Sequence, residues 1–382
     1  MSDVRGPIWA IVAGGGTAGH VLPGIAVANA LVARGHLPST IHFVGAERGS
    51  ERTLVPDAGF SITLLPGRGV QRRLTAENIG ALVGLVRAVF QAVVLVRRTR
   101  PSVVLAVGGF ASVATAIAAV LWRVPLVIAE QNARAGAANR LVARWARACA
   151  VPFPETDLPR AVVTGNPVRQ TVLDVAARGD TTAARAALGV PDGRTLVVSF
   201  AGSLGSRRLN DATFECARRW SHRTDLAVYH VVGARDWDED RVPADLTGTD
   251  GGFTGLWYRA VRYETQMDVV LAAADLAVCR SGGTTVAELA VMGLPAVLVP
   301  LPIATRDHQR FNAGALVAAG AAVLIDDEDF TADRMEREVG DLLEPGRLES
   351  MATAARSQGR VDAADAVADL VESAAGRPGG VR

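Results

Sequence analysis

Two glycine-rich segments, each followed by residues that could do chemistry, lie near opposite ends of this chain. The first, GGGTAGH at residues 14–20, follows an apolar run. Its glycines predict a loop where the backbone approaches a ligand, and His20 adds a ring that exchanges protons near neutral pH. The second, RSGGTTVAE at residues 280–288, predicts a helix start whose amides can receive an anion. Together they indicate an enzyme that binds a phosphorylated nucleotide in a cleft between two halves.

His20 is the candidate general base. A histidine at the start of the helix that follows the first loop faces the crevice where α/β sheets bind ligands. Nearby helix N-termini favour a neutral ring that can accept a proton. The alternative is a capping or structural histidine. The loop also fits the G-x-G-x-x-G pattern of dinucleotide-binding proteins. Such a site needs an acidic residue at the end of the second strand, and Glu47 follows the strand expected at residues 40–44 later than that position requires.

Glu288 is the candidate ribose ligand. It lies one turn beyond Thr284 and Thr285 on the same predicted helix face, where a carboxylate can bind paired hydroxyls. The alternative is a capping box formed by Thr285 and Glu288, whose spacing fits equally well.

Further loops on the same predicted edges add candidates. Gly108 and Gly109 form a second glycine turn after an apolar strand, and the EQN segment at residues 130–132 offers polar groups for sugar hydroxyls or for a turn. Ser203 and the amides around it could bind a phosphate, and Arg169 could add positive charge near the junction of the halves. For Arg169 the alternative is a surface ion pair.

The pattern of short apolar strands alternating with helices predicts two Rossmann-like, doubly wound parallel sheets. Strands are expected at residues 8–12, 40–44, 61–65, 103–107, 126–129 and 161–164, and then at 196–201, 227–232, 260–263, 276–279, 296–300 and 322–324. Helices are expected at residues 23–34 and 210–221, among others. The predicted domains are residues 1–165 and 166–346, followed by a helix at about 347–374 that packs back on the first domain and a disordered tail at 375–382.

Composition narrows the function classes. The 382 residues have a net charge of +1, all 40 basic residues are arginine, and the three cysteines show neither metal spacing nor a disulfide framework. Bulk charge therefore does not indicate nucleic-acid binding, and a reducing cytoplasm is expected. The apolar stretch 79–96 is interrupted by Arg87 and Gln91, so we expect a helix on or under a surface and not one through a bilayer.

That same region predicts contact with a membrane surface. Seven arginines at positions 68, 72, 73, 87, 97, 98 and 100 surround an apolar helix face. A basic rim around an apolar face suits an anionic bilayer. The candidate membrane residues are Arg72, Arg73, Leu82, Leu85, Val86, Val89 and Phe90, and the alternative is a core-facing helix with a solvated basic edge.

Taken together, the motifs resemble the MurG family of UDP-N-acetylglucosamine (UDP-GlcNAc) transferases. The similarity covers residues 8–340 and is carried by GGTAGHVLPG at 15–24, EQN at 130–132, TGNPVR at 164–169, CRSGGTTVAEL at 279–289 and DHQRFNA at 307–313. Five motifs in this order, each at the end of a predicted strand, make the resemblance specific.

The resemblance implies a GT-B glycosyltransferase fold and inverting transfer of GlcNAc without a metal or other cofactor. The acceptor would be the 4-hydroxyl of N-acetylmuramic acid in lipid I, giving lipid II for peptidoglycan, at the cytoplasmic face of the cell membrane. His20 would be the base, Glu288 the ribose ligand, Arg169 and Ser203 the diphosphate contacts, and Gln309 a GlcNAc contact. The other implied donor contacts are Thr17, Ala18, Gly19, Asn132, Glu264 through backbone near uracil, Gly283, Thr284, Thr285, Val286 and Ala287, and the acceptor side would be Gly108, Gly109, Phe110 and Glu130.

Some positions depart from the family pattern. Ala18 stands where a glycine is usual, Leu204 where a glutamine is usual, Phe110 where a tyrosine is usual, and Ala129 where a histidine often precedes EQN. Several of these lie on the implied acceptor side. The alternatives are a paralogue that glycosylates another polyprenyl-linked acceptor and an isomerase similar to UDP-GlcNAc 2-epimerase.

Overall fold

The chain forms two compact units, each built on one parallel sheet. The computed structural model describes residues 7–47, 49–67, 77–202, 205–238 and 255–376, with the side chains of 77–83 excepted. The first domain comprises the chain up to Arg169 and from Arg360 onward, and the second domain comprises Gln170–Gly359.

The first domain has a seven-stranded sheet in the order β3-β2-β1-β4-β5-β6-β7, with every pair parallel. Its central strands are buried along their whole length, as expected when helices cover both faces of a sheet. The strands are β1 (Ala10–Gly14), β2 (Ile41–Ala46), β3 (Ser61–Leu65), β4 (Val103–Gly108), β5 (Leu126–Ala129), β6 (Ala148–Val151) and β7 (Ala161–Val163).

The helices of the first domain come from both ends of the chain. They are α1 (Ala18–Ala33), α2 (Glu51–Asp57), α3 (Glu77–Thr99), α4 (Phe110–Leu121), α5 (Ala137–Val142) and α14 (Ala363–Ala375), with short 3-10 turns at Pro38–Thr40 and Ala143–Trp145. The last helix, α14, belongs to the first domain although the whole second domain, Gln170–Gly359, separates it in sequence from the other helices of that domain, and it packs on α1, β4, β5 and β6.

The second domain has a six-stranded parallel sheet in the order β10-β9-β8-β11-β12-β13. The strands are β8 (Thr195–Phe200), β9 (Leu226–Val231), β10 (Trp257–Val261), β11 (Leu276–Cys279), β12 (Ala296–Leu298) and β13 (Ala322–Leu324). The helices are α6 (Gln170–Arg178), α7 (Thr181–Leu188), α8 (Arg207–Arg219), α9 (Met267–Ala273), α10 (Gly283–Met292), α11 (His308–Ala318), α12 (Ala332–Leu342) and α13 (Arg347–Gln358), with 3-10 turns at Thr305–Asp307 and Asp327–Asp329.

Several local details differ from the sequence predictions. The strand expected at residues 260–263 begins three residues earlier, as β10 at Trp257–Val261. The sequence does not predict β6, because alanine and cysteine give no run of β-branched residues. The start of α1 is predicted at Pro23, but the helix begins at Ala18 after Thr17, which places His20 in its first turn. The predicted helix at 347–374 is divided into α13 and α14 by residues 359–362, and these two helices belong to different domains. Most of the predicted tail, residues 377–382, lies outside the described residues.

Candidate active site

Each sheet has a point where the strand order reverses, and the motif loops lie there. In the first domain this point falls between β1 and β4, and in the second domain between β8 and β11. Ligands of open α/β sheets bind at such switch points, beyond the carboxyl ends of the strands. The two glycine-rich segments of the sequence follow β1 and β11, so the fold places both where ligands are expected.

At the first switch point two glycine loops are joined directly. The Gly15 N–H donates to the Gly108 carbonyl at 3.2 Å. A Cβ built on Gly109 would lie 2.3 Å from the Gly15 carbonyl oxygen, so a side chain there would force the loops apart. Gly108 and Gly109, predicted on the acceptor side, therefore share one edge with the histidine-bearing loop.

His20 lies against this glycine turn. Its ring Nε2 is 3.2 Å from the position that a Cβ of Gly108 would occupy, and its Nδ1 lies 3.3 Å from the hydroxyl of Thr17. The ring is half-buried. Because Thr17 contacts Nδ1, the other nitrogen is the one directed toward the Gly108 turn.

Glu51 is a buried carboxylate beneath the first loop that sequence reasoning does not identify. It is 1% exposed, and its oxygens accept the Gly16 N–H at 2.9 and 3.1 Å and the Ala46 N–H at 2.7 Å. A negative charge under these amides opposes the binding of a diphosphate there, so the geometry speaks against the dinucleotide interpretation of G-x-G-x-x-G. The sequence offers one local hint of this contact, since Glu51 closely follows Gly45 and Gly49. Its hydrogen-bond partner Gly16 lies 35 residues away, so the pairing itself is not visible in the sequence.

The carboxylate of Glu130 organises its own loop. It accepts five hydrogen bonds of 2.9–3.1 Å, from the backbone amides of Gln131, Asn132 and Gly136 and from the side-chain amides of Asn132 and Asn139. Glu130 is 3% exposed. Of the two roles that the sequence left open, sugar contact or turn, these bonds support the turn. The loop-holding Asn139 was not among the sequence candidates.

Phe110 opens α4 directly after the glycine turn. Its ring is partly buried against the first-domain core, and its tip is 2.9 Å from the position of a Cβ on Gly67. The position is on the predicted edge, next to Gly109. An acceptor contact by Phe110 stays a prediction.

At the second switch point Arg280 ties three loops together. Its guanidinium donates to the carbonyls of Val299 and Pro300, both at 3.0 Å, and to the hydroxyl of Ser206 at 2.6 Å. It also forms an ion pair with Asp327 at 2.6 Å. Its side chain is 11% exposed, and this burial lowers its pKa. The sequence motif contained Arg280, but its role depends on partners up to 74 residues away.

The start of α10 excludes one of the two roles predicted for Glu288, the capping box, while the ribose contact stays a prediction. Gly282 is the N-cap residue, and no side chain caps the helix, so Thr285 and Glu288 do not form a capping box. Glu288 lies in the second turn and is 7% exposed. The backbone N–H groups of the first turn of a helix have no hydrogen-bond acceptor within the helix, so they can bind other groups. The first-turn amides of Gly283, Thr284 and Thr285 are therefore suited to an anion, whereas the Val286 N–H donates to the Gly282 carbonyl at 2.9 Å and the contacts predicted for Val286 and Ala287 cannot use an amide at the helix end.

Side-chain hydrogen bonds also fix the loops around α10. Asn312 donates to the Ser281 carbonyl at 3.1 Å, and Gln309 accepts the Leu301 N–H at 2.9 Å. Glu264 accepts the Tyr229 hydroxyl at 2.6 Å and the Gln266 N–H at 2.7 Å, which holds the turn after β10. These bonds build the predicted GlcNAc and uracil loops, while the ligand contacts themselves stay predictions.

The remaining donor candidates fall in different places. Thr17, Ala18 and Gly19 form the start of α1 with His20, and Asn132 is half-buried in the loop that Glu130 holds. Arg169 is half-buried and is the last residue before the second domain. Ser203 lies outside the described residues.

The predicted membrane residues divide between two faces of α3. Val86 and Phe90 are 62% and 68% exposed, and Arg87 between them is exposed. Val89 instead packs against the first-domain core, because it shares the inner face with the buried Ala88 and Ala92, and Leu85 is half-buried. Arg72, Arg73 and the side chain of Leu82 lie outside the described residues. In the described part of the chain, no helix combines the length and apolar character needed to cross a bilayer.

Comparison with known families agrees with this architecture. The glycosyltransferase family 28 N-terminal domain matches residues 10–151, and the family 28 C-terminal domain matches residues 196–367. The fold and the site thus define a two-domain family 28 glycosyltransferase.

Relatives that align over nearly the whole chain place it more narrowly. Proteins of Desulforudis audaxviator and Salinibacter ruber are 36% and 41% identical over 96% of this chain and 98% and 97% of their own length. Both are named UDP-N-acetylglucosamine–N-acetylmuramyl-(pentapeptide) pyrophosphoryl-undecaprenol N-acetylglucosamine transferase. The solved MurG structure of Acinetobacter baumannii is 27% identical, covers 96% of this chain and 100% of that one, and superposes with a TM-score of 0.73. The chain belongs to the MurG family.

The same fold occurs in sugar-nucleotide epimerases. A putative UDP-N-acetylglucosamine 2-epimerase of Listeria monocytogenes is 17% identical, covers 99% of this chain and 100% of that one, and has a TM-score of 0.67. At this identity the similarity concerns the fold alone.

Proposed function

We propose that this protein transfers GlcNAc from UDP-GlcNAc to the 4-hydroxyl of N-acetylmuramic acid in the undecaprenyl-pyrophosphoryl pentapeptide acceptor, forming lipid II. The observation that carries the proposal is the full-length similarity to relatives named for this reaction, at 36–41% identity. The geometry supports it, because each domain presents a loop of the appropriate chemistry at its switch point.

His20 acts as the general base in this proposal. For Nε2 to accept a proton, Nδ1 must carry the ring hydrogen and donate it to the Thr17 hydroxyl, which lies 3.3 Å away. Nε2 then takes the proton of the acceptor's 4-hydroxyl while that oxygen bonds to the anomeric carbon of GlcNAc. The bond from this carbon to the diphosphate breaks, the electron pair leaves with UDP, and the configuration inverts.

In this proposal the second domain provides most of the groups that bind the donor and stabilise the departing diphosphate, and Arg169, the last residue before it, adds a contact. The start of α10 offers backbone amides and the positive end of a helix dipole, and Arg169 and Ser203 are the proposed side-chain contacts. Glu288 binds the ribose hydroxyls, and Gln309 contacts GlcNAc. These groups replace a metal ion in the proposed mechanism, so the reaction needs no added cofactor.

The buried Glu51 supports this division of labour between the domains. Its charge, together with its use of the Gly16 N–H, makes this amide unsuitable for a diphosphate. In this proposal the first loop holds the base His20 and, through Thr17, Ala18 and Gly19, approaches the donor sugar and the acceptor.

The acceptor carries a polyprenyl chain, so we propose that the enzyme works on the cytoplasmic face of the membrane. The exposed Val86 and Phe90, with Arg87 between them, form the described part of the contact surface. Apolar insertion and attraction to anionic lipids would act together there.

One assay separates the candidate functions. The protein is incubated with labelled UDP-GlcNAc and a short-chain lipid I analogue, with and without EDTA, and both UDP release and product are measured. Release of UDP that depends on the acceptor and is insensitive to EDTA, with a β-linked product by NMR, is expected. Transfer only to a different polyprenyl-linked acceptor would identify a paralogue, and formation of UDP-N-acetylmannosamine without acceptor would identify an epimerase.

A further inference from the structure

Glu51 is an acidic residue in a place where acids are costly. It is the first residue of α2, yet its side chain is 1% exposed and lies beneath the β1–α1 loop. Burial removes the hydration of a carboxylate, which is unfavourable unless other bonds replace it. Three backbone N–H···O contacts do so, two from Gly16 and one from Ala46.

The surrounding glycines are shaped to this carboxylate. A Cβ on Gly15 would lie 2.0 Å from Glu51 Oε1, and a Cβ on Gly45 would lie 2.3 Å from its Cγ. Alanine at either position would displace the glutamate or the loop. The glycines after β1 and at the end of β2 thus serve the approach of Glu51 as well as the turn itself.

The loop that Glu51 holds leads directly to the base. Gly16 precedes Thr17, which is the N-cap of α1 and contacts the His20 ring. On the other side, Gly15 is bonded to Gly108, against which the His20 ring packs. The backbone before His20 is therefore fixed between two anchors, and Glu51 is the anchor that a single substitution can remove.

We propose that Glu51 is a positioning residue for the acceptor-side loop, acting on Thr17 and His20 through the Gly16 amide. This inference rests on the proposed function, in which His20 is the base. Glu51 itself contacts no substrate. It lowers the freedom of the loop so that the His20 ring meets the acceptor hydroxyl in a reactive geometry.

The test variant is Glu51→Gln, which keeps the size of the side chain. A glutamine oxygen at the position of Oε1 keeps the Ala46 bond and one Gly16 contact. Its NH2 group then lies where Oε2 stood, 2.9 Å from the Gly16 nitrogen, so that a donor faces a donor. The loop must move, and we expect kcat to fall by about 10- to 100-fold while the KM for UDP-GlcNAc stays within about twofold.

A matched control separates positioning from general loss of stability. Val55 lies one turn further along α2 and is fully buried in the core. Val55→Ala should lower the melting temperature without changing kcat by more than about threefold. Hydrogen exchange of the peptide 14–20 should rise by about tenfold or more in Glu51→Gln only.

The outcomes are decisive in each direction. A kcat within threefold of wild type in Glu51→Gln, an equal loss of activity in Val55→Ala, or unchanged exchange at 14–20 would overturn the inference. A wild-type protein without transferase activity would instead refute the proposed function. In that case the exchange comparison still decides whether Glu51 holds the loop.

Discussion

The network around Glu130 allows one perturbation to be worked out in detail. In Glu130→Gln, the amide oxygen takes the place of Oε1 and keeps the three contacts from Gln131 and Asn132. The new NH2 group then faces two donors, the Gly136 N–H and the Asn139 side-chain amide, which bonded to Oε2 at 2.9 Å. Two hydrogen bonds to a charged acceptor are lost.

The cost follows from those two bonds. Hydrogen bonds to charged groups contribute about 1.5–3 kcal/mol each, so the loss of two amounts to about 3–6 kcal/mol. A destabilisation of this size should lower the melting temperature of the first domain by about 10 °C, given about 2–4 °C per kcal/mol in domains of this size. Differential scanning calorimetry measures this directly.

Glu155→Gln is the matched control, because Glu155 is an exposed glutamate of the same domain. Its substitution should leave the melting temperature within about 1 °C. A fall of less than about 2 °C in Glu130→Gln, or an equal fall in the control, would show that the five bonds do not carry the stabilisation assigned to them.

The remaining predictions concern catalysis, pH and the membrane. His20→Ala should lower kcat by about 100-fold or more at all pH values. Glu288→Ala should mainly raise the KM for UDP-GlcNAc, by about tenfold or more, because Glu288 binds the donor before and during transfer. Steady-state kinetics separate the two effects, and full activity of His20→Ala would refute the assignment of His20 as the general base. Burial lowers the pKa of His42 to about 4. As pH falls, His42 is therefore protonated in the unfolded chain before it is protonated in the folded protein. Its contribution to the free energy of unfolding is complete above about pH 6.5 and is lost as pH falls toward 4, by about 1.4 kcal/mol per pH unit. His42→Gln should flatten the dependence of the free energy of unfolding on pH in that window. Phe90→Ser should weaken binding to anionic vesicles in sedimentation assays, while Val361→Ser, at an equally exposed apolar position, should not.

Local patterns were sufficient for most of the fold. The sequence predicts β3, β5, β11 and β13 with the bounds that the structure shows, because each is a short apolar run between turn residues. It also places the glycine motifs after β1 and β11, where a parallel sheet needs tight turns. The start of α1 was misplaced because proline favours a first helical turn but is also tolerated further along a helix.

The residues that brace the site could not be predicted in the same way. Glu51 meets Gly16 across 35 residues, and Arg280 meets Ser206 across 74. Such pairs depend on which loops the sheet brings together, and a periodic pattern contains no information on that. A capping box at residues 285–288 is an opposite case, since the spacing fits but the helix begins too early for it to form.

The division of the first domain between the two ends of the chain has a consequence for synthesis. Val367, Ala368 and Val371 of α14 are fully buried among core residues contributed by β1, β4 and α1. A ribosome must therefore finish the whole second domain before the first can close its hydrophobic core. Until α14 emerges, the nascent N-terminal half exposes an apolar surface, which makes it a candidate client for chaperones. Removal of α14 should therefore be far more harmful than its place late in the sequence suggests.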